Sequence, residues 1–156
     1  MKMSWIALAL AASLVSLPLA SQTKRCLTDD ERAAMHVRLL QTELMVGAIS
    51  CRNETPEIMD RYNAFVRTHG ESIGREGKVL QNYFLDAYGR ESNTRFDRFT
   101  TALANETSTR SMNDQAFCRK SMVLAEQSGK VAKGQLASYA GNWVTANNRK
   151  YTACGP

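Results

Sequence analysis

The sequence predicts an all-α protein, a compact bundle of five or six helices around a central first helix. Three observations carry this. Apolar residues recur at helical spacing along nearly all of the chain after residue 28. β-Branched residues never alternate with polar ones over a useful length, and no Asn-Gly or Asp-Gly turn separates two apolar runs. Short segments holding helix-start and helix-stop residues divide the periodic stretches.

Residues 1–20 stand apart from this pattern. Lys2 supplies a short basic start, WIALALAASLVSL an unbroken apolar run, and PLA ending at Ala20 a small residue for cleavage. That is the layout of a secretory signal peptide, with Pro18 where a small residue is usual. The run is short for a membrane span and is soon followed by polar SQTKR. Cys26 follows TKR rather than the small apolar residues of a lipidation site. The expectation is an exported chain, periplasmic or secreted, with residues 21–156 as one soluble helical domain. No linker, repeat or second apolar run interrupts it, so no stable membrane insertion is expected after cleavage.

The first helix starts at a capping box, TDDE, Thr28 to Glu31. Asp29 and Asp30 suit the positive end of the helix dipole. Ala33, Val37, Leu40, Leu44, Ala48 and Cys51 share one face, and Met35, Leu39 and Val46 a second. By LMVGAI, 44–49, the helix is apolar nearly all round, which predicts burial on several sides. Thr55 and Pro56 mark a second start. Ile58, Tyr62, Phe65, Val66 and His69 then share a face, and Gly70 is the expected stop. A third helix carries Ile73, Leu80, Tyr83, Phe84 and Ala87, weakened early by Gly74 and Gly77 and closed by Gly89. A fourth runs from Ser92 to about residue 110. Asn113 or Asp114 caps a fifth, with Phe117, Ser121, Leu124 and Ala125 inward and Gly129 as its end. The last is expected over 130–147, with Leu136, Tyr139, Ala140 and Trp143 together.

All four cysteines, Cys26, Cys51, Cys118 and Cys154, fall after the signal, and an even count in an exported chain reads as two disulfides. Three pairings are open. In one, Cys26 and Cys154 staple the ends while Cys51 and Cys118 join two helices. No C-x-x-C or C-x-x-H spacing suggests a metal site. The net charge of +5 is spread among acidic residues, without the basic stripe and stacking aromatics of a nucleic-acid binder.

Motifs for chemistry are sparse. G-x-S-x-G, P-loop and dinucleotide fingerprints are absent, as is the C-x-x-C-H of haem attachment, so no cofactor is expected. Glu43, Asp60, Glu71, Asp86 and Asp97 offer carboxylates, but nothing selects a pair for glycosidase chemistry. Arg32, His36 and Glu43 lie on one strip of the first helix, so His36 and Glu43 are the candidates for acid-base work. A solvated strip with a helical ion pair is the plainer reading. His69, at the expected end of the second helix, suits a helix C-terminus. Asn53-Glu54-Thr55 and Asn105-Glu106-Thr107 match the N-glycosylation pattern, which is discounted because the short, Ala/Leu-rich signal looks bacterial.

The fourth helix carries two patterns. Phe96, Phe99 and Leu103 form an apolar stripe, and Thr94, Arg98, Thr101, Asn105 and Ser108 point almost directly away from it. A solvated face more commonly uses Glu and Lys, which are better helix formers than Thr, Asn and Ser. Short hydrogen-bonding groups lose little side-chain entropy on contact, so Arg98, Thr101, Asn105 and Ser108 read as a docking face.

YNAFVRTHG, VLQNYFLDAYG, FDRFTTALANETSTRS and FC, in this order, resemble an uncharacterised type of small exported helical protein from alphaproteobacteria. The resemblance covers roughly residues 28–120 and rests on core aromatics and caps, so it speaks to fold rather than chemistry. It implies a bacterial periplasmic location and a cystine joining Cys51 to Cys118, and it carries no activity. The expected function is that of a periplasmic binding or accessory protein acting through contact with a protein partner, as a small subunit of an envelope complex. The alternatives are an envelope-acting hydrolase using His36 and Glu43, and an inhibitor or immunity-type protein.

Overall fold

The computed structural model describes residues 26–149 and Tyr151. Among the described residues five α-helices follow one another: α1 (Asp29–Cys51), α2 (Ile58–Tyr88), α3 (Ser92–Asn113), α4 (Phe117–Gly129) and α5 (Leu136–Ala146), with a 3-10 turn at Gly89–Glu91 before α3. No β-strand occurs among the described residues. The signal segment expected at residues 1–20 lies outside them.

The capping box forms as the sequence dictates. Thr28 Oγ accepts from the Glu31 amide at 3.3 Å, and the Thr28 amide donates to the Glu31 carboxylate at 2.8 Å. Helix α1 packs on α2, α3, α4 and α5 in turn, which explains its all-round apolar sequence.

Two core clusters lie along α1. One holds Val37, Leu40, Leu44, Phe65, Leu124 and Leu136, between α1, α2, α4 and α5. The other holds Leu27, Met35, Leu39, Leu80, Phe84 and Leu103, between α1, α2 and α3. Phe84 centres an aromatic group, with the rings of Tyr83, Phe96 and Phe99 each 5.4 Å from its own and that of Tyr88 at 5.6 Å. Offset and edge contacts of this kind add about 0.5–1.5 kcal/mol per pair beyond area burial.

The sequence expectation fails at Gly70. The helices expected on either side of it are one, the 31-residue α2, about 46 Å long. An interior glycine costs roughly 1 kcal/mol of helix propensity. Here the inward stripe runs unbroken through it, with Phe65 in one cluster, His69 buried beside Phe65, and Leu80 and Phe84 in the other cluster. Tertiary packing of one face outweighs the local weakness. His69 is therefore mid-helix, and the helix C-terminus expected beside it is not there. The stop comes instead at Gly89, where φ is +53°.

Two other boundaries move. Thr55 and Pro56 lie in a turn, in which the Ile58 amide donates to the Thr55 carbonyl at 3.0 Å, and α2 begins at Ile58. Helix α5 begins at Leu136 rather than near residue 130, because Gly134 at φ +86° turns the chain first.

Among the described residues one disulfide joins two helices: Cys51–Cys118, from the end of α1 to the start of α4 across 67 positions. The expected Cys26–Cys154 pairing lies outside the described residues, since Cys154 is not among them.

Candidate functional site

The strip on α1 meets two separate surroundings. His36 and Glu43 are seven positions apart, about 10 Å along the axis, and the fold does not bring them together. His36 Nε2 lies 2.8 Å from the Tyr151 hydroxyl, with the two rings edge to face at 5.3 Å. Helix α5 comes close at Gly141, where a Cβ would stand 3.2 Å from His36 Nδ1. Burial lowers the His36 pKa below its usual value, and the Arg32 charge lowers it further. Burial raises that of the Tyr151 phenol, against the Arg32 charge.

Glu43 is the hub of a charged ring. Its Oε2 accepts from Arg110 Nη2 at 2.5 Å, from Arg149 Nη2 at 2.9 Å and from Thr107 Oγ at 3.4 Å. Glu106 Oε1 accepts from Arg110 Nη1 at 2.7 Å and from Arg149 Nη1 at 3.4 Å. Two guanidiniums thus alternate with two carboxylates, drawn from α1, from α3 and from the segment after α5. Burial pulls the Arg149 pKa below its usual value; Glu43 raises it, Arg110 lowers it and Glu106 raises it. Arg149 Nε is buried with no hydrogen-bond partner among the described residues. Its guanidinium also lies 5.8 Å from the Trp143 ring centroid.

Thr107, Arg110 and Arg149 were not singled out in the sequence. A signal was present for two of them. The apolar stripe Phe96–Phe99–Leu103 continues at helical spacing into Thr107 and Arg110, which places polar groups on a core-facing stripe. Buried polar groups need partners, and Glu43 provides one. Arg149 lies beyond α5, outside any helical repeat, so nothing in the spacing points to it.

A cleft of about 540 Å³ opens beside this ring. Helices α4 and α5 both pack on α1 but scarcely on each other, and the cleft is the gap between them. Phe117, Val123 and Leu124 of α4 face Trp143 of α5 and Asn147 just after it, with Glu43, Arg110 and Arg149 at one end. Asp114 lies at the mouth, paired with Lys120 at 2.8 Å. The Lys120 hydrogen bond holds the Asp114 carboxyl below its usual pKa, helped by the Ala116 amide. His36 does not line the cleft.

The stripe on α3 faces outward. Arg98, Thr101 and Asn105 are exposed, and Ser108 is partly covered. Phe96 and Phe99 are half-buried and Leu103 is buried, as an amphipathic helix requires. The side chains of Arg98, Thr101 and Asn105 make no hydrogen bond to other described residues. Nearby hydroxyls bond to their own helix instead: Thr109 donates to the Asn105 carbonyl at 2.9 Å and Ser111 to that of Ser108 at 2.7 Å.

His69 is fully buried against Phe65, with Nε2 3.2 Å from the Ser128 carbonyl that accepts from it. His69 Nδ1 and Ser128 Oγ are buried without partners. This contact ties α2 to α4 at a distance from the cleft's charged end.

The charged ring suits binding better than proton transfer. Glu43 Oε2 already accepts three hydrogen bonds, which leaves that oxygen no lone pair for a substrate proton. Among the described residues no serine, threonine or cysteine side chain is hydrogen-bonded to a histidine, the pairing most often used for covalent catalysis.

Compared with known protein families, curated proteins and solved structures, the chain matches none.

Proposed function

We propose that the protein is an exported helical binding or accessory protein that works by non-covalent contact with a protein partner. The compartment is the bacterial periplasm, and the role is that of a small subunit of an envelope complex. One observation carries the reading: the outer face of α3 presents Arg98, Thr101 and Asn105 exposed and unengaged, while the acid-base candidates are occupied within the fold. Short polar side chains on a rigid helix lose little freedom when a partner covers them. The Cys51–Cys118 bridge supports an oxidising compartment.

The hydrolase alternative draws little support from the geometry. It needs His36 and Glu43 at one reacting centre, and one faces Tyr151 while the other is held by two arginines. The inhibitor or immunity alternative would use the same face of α3 and differs only in the partner.

The test is capture of partners from an envelope extract with the wild-type protein and with the double variant T101K/N105K. The variant should keep the far-UV and near-UV circular dichroism of the wild type and lose the captured partner. A partner retained by the variant sinks the α3 face as the docking surface. Recovery of no partner by the wild type under gentle conditions sinks the function itself.

A further inference from the structure

We propose that the cleft between α4 and α5 is a binding site for a small amphiphilic carboxylate, an apolar body ending in one anionic group. The site is separate from the outer face of α3 and does not depend on its having a partner.

The shape comes first. A volume of about 540 Å³ falls within the range of sites for small organic ligands, roughly 300–1,000 Å³. The walls are held in place from behind: Phe117 and Leu124 are buried in the core, and Cys118 is bridged to α1. A site built on packed helices needs little ordering when a ligand enters.

The lining then sets the ligand's body. Phe117, Leu124 and Trp143 are apolar, and Val123 remains 49% exposed on the same wall. Covering such a surface releases water and stabilises a complex by about 25 cal/mol per Å². Gln127 and Asn147 supply amides beside it, but neither carries charge.

Charge accounting sets the ligand's end. At the inner end Arg110 and Arg149 are balanced by Glu43 and Glu106. Lys120 is balanced by Asp114. Arg119, the remaining cation of the lining, is exposed and has no ion pair within 4 Å among the described residues, its charge being offset only by the more distant Asp114 that Lys120 already binds. One guanidinium beside an apolar wall is complemented by one carboxylate, which it can hold through two parallel N–H donors. A cationic amphiphile would meet Arg119 and Lys120, and a polyanion would find only one unbalanced charge.

The chain offers its own reporter. Its two tryptophans are Trp5, in the segment expected to be cleaved, and Trp143, so the protein prepared as residues 21–156 carries Trp143 as its one tryptophan, excited selectively at the red edge of the absorption band. Decanoate, below its micelle concentration, should shift Trp143 emission and saturate as a one-site isotherm. Decyltrimethylammonium and acetate should leave the emission unchanged, since each lacks one half of the recognised chemistry. R119E should weaken decanoate at least about tenfold, R119K should weaken it less, and K133E, a charge reversal outside the cleft, should not change it. Arg119 and Lys133 are both exposed, so these variants do not test folding instead. Absence of saturable decanoate binding, equal binding of the cationic amphiphile, or equal loss in R119E and K133E would each overturn the assignment.

Discussion

Glu43 and Arg149 are 106 positions apart and meet at 2.9 Å, joining the middle of the first helix to the segment that follows the last. Arg110 reaches the same oxygen from α3. Three parts of the chain with no local reason to meet are held by one half-buried carboxylate.

Removal of that carboxylate should therefore cost more than a surface ion pair. E43A leaves two largely covered guanidiniums facing each other, and the expected loss is about 2–3 kcal/mol of unfolding free energy. E43Q keeps an acceptor oxygen and should lose less. Urea unfolding followed by circular dichroism reads both. An E43A loss within 0.5 kcal/mol, the usual scatter of surface substitutions, would show that the ring is only a surface feature.

Gly47 sits where α1 crosses α4, and an added Cβ would stand 2.8 Å from Ser121 Cβ. G47A gains helix propensity of about 1 kcal/mol. Overpacking of a close crossing costs typically about 1–3 kcal/mol, so a net loss is expected. The pair G47A/S121G should recover most of it, because the obstructing atom is gone. A G47A protein as stable as wild type would mean that the two helices part without cost.

The Cys51–Cys118 bridge closes a loop of 67 positions. By the chain-entropy estimate, losing such a cross-link costs about 4 kcal/mol. C51S/C118S should unfold at a correspondingly lower urea midpoint, and reduction of the wild type should lower it in the same direction. Cleft binding by Trp143 emission offers a second readout, since Cys118 lies between Phe117 and Arg119 on the α4 wall.

His36 makes stability depend on pH with a definite sign. Its folded pKa lies below 6.5, from burial first and Arg32 second, so the unfolded chain takes up the proton more readily. The contribution is constant above the unfolded value and is lost as pH falls from about 6.5 towards the folded value. Tyr151 faces the ring without adding a charge in that range, and Gly141 of α5 adds none. H36Q should be flatter than wild type in unfolding free energy between pH 7 and pH 5. A steeper wild-type loss that persists unchanged in H36Q would place the proton elsewhere.

Much of the fold was legible because it is written locally. Thr28 and Glu31 form their capping box within four residues, and the inward positions of α1 and α3 follow the helical repeat. Gly70 misleads because its propensity is local while the reason for continuing the helix, burial of Phe65 and Leu80 in two different clusters, is not. The start of α5 is hidden because Gly134, at positive φ, interrupts a stretch whose apolar spacing gives no warning. The site was less legible still. Glu43 was named for its place beside His36 on a strip, yet its partners come from residues 107, 110 and 149. Spacing along one helix reports which side chains share a face, not what a distant segment places against them. Thr107 and Arg110 could have been found, as polar residues continuing the Phe96–Leu103 stripe.

Leu27, just ahead of α1, and Tyr151, beyond α5, belong to one apolar cluster. The segments before α1 and after α5 thus pack into one part of the core. Local opening of segments outside the helices is ordinarily the least costly motion of a domain, because few contacts are lost. Here opening of either segment uncovers the same cluster. The Arg32 amide, bonded to the Thr28 carbonyl, and the Arg149 amide, bonded to that of Val144, should therefore exchange with deuterium at one shared opening free energy, as a single cooperative unit.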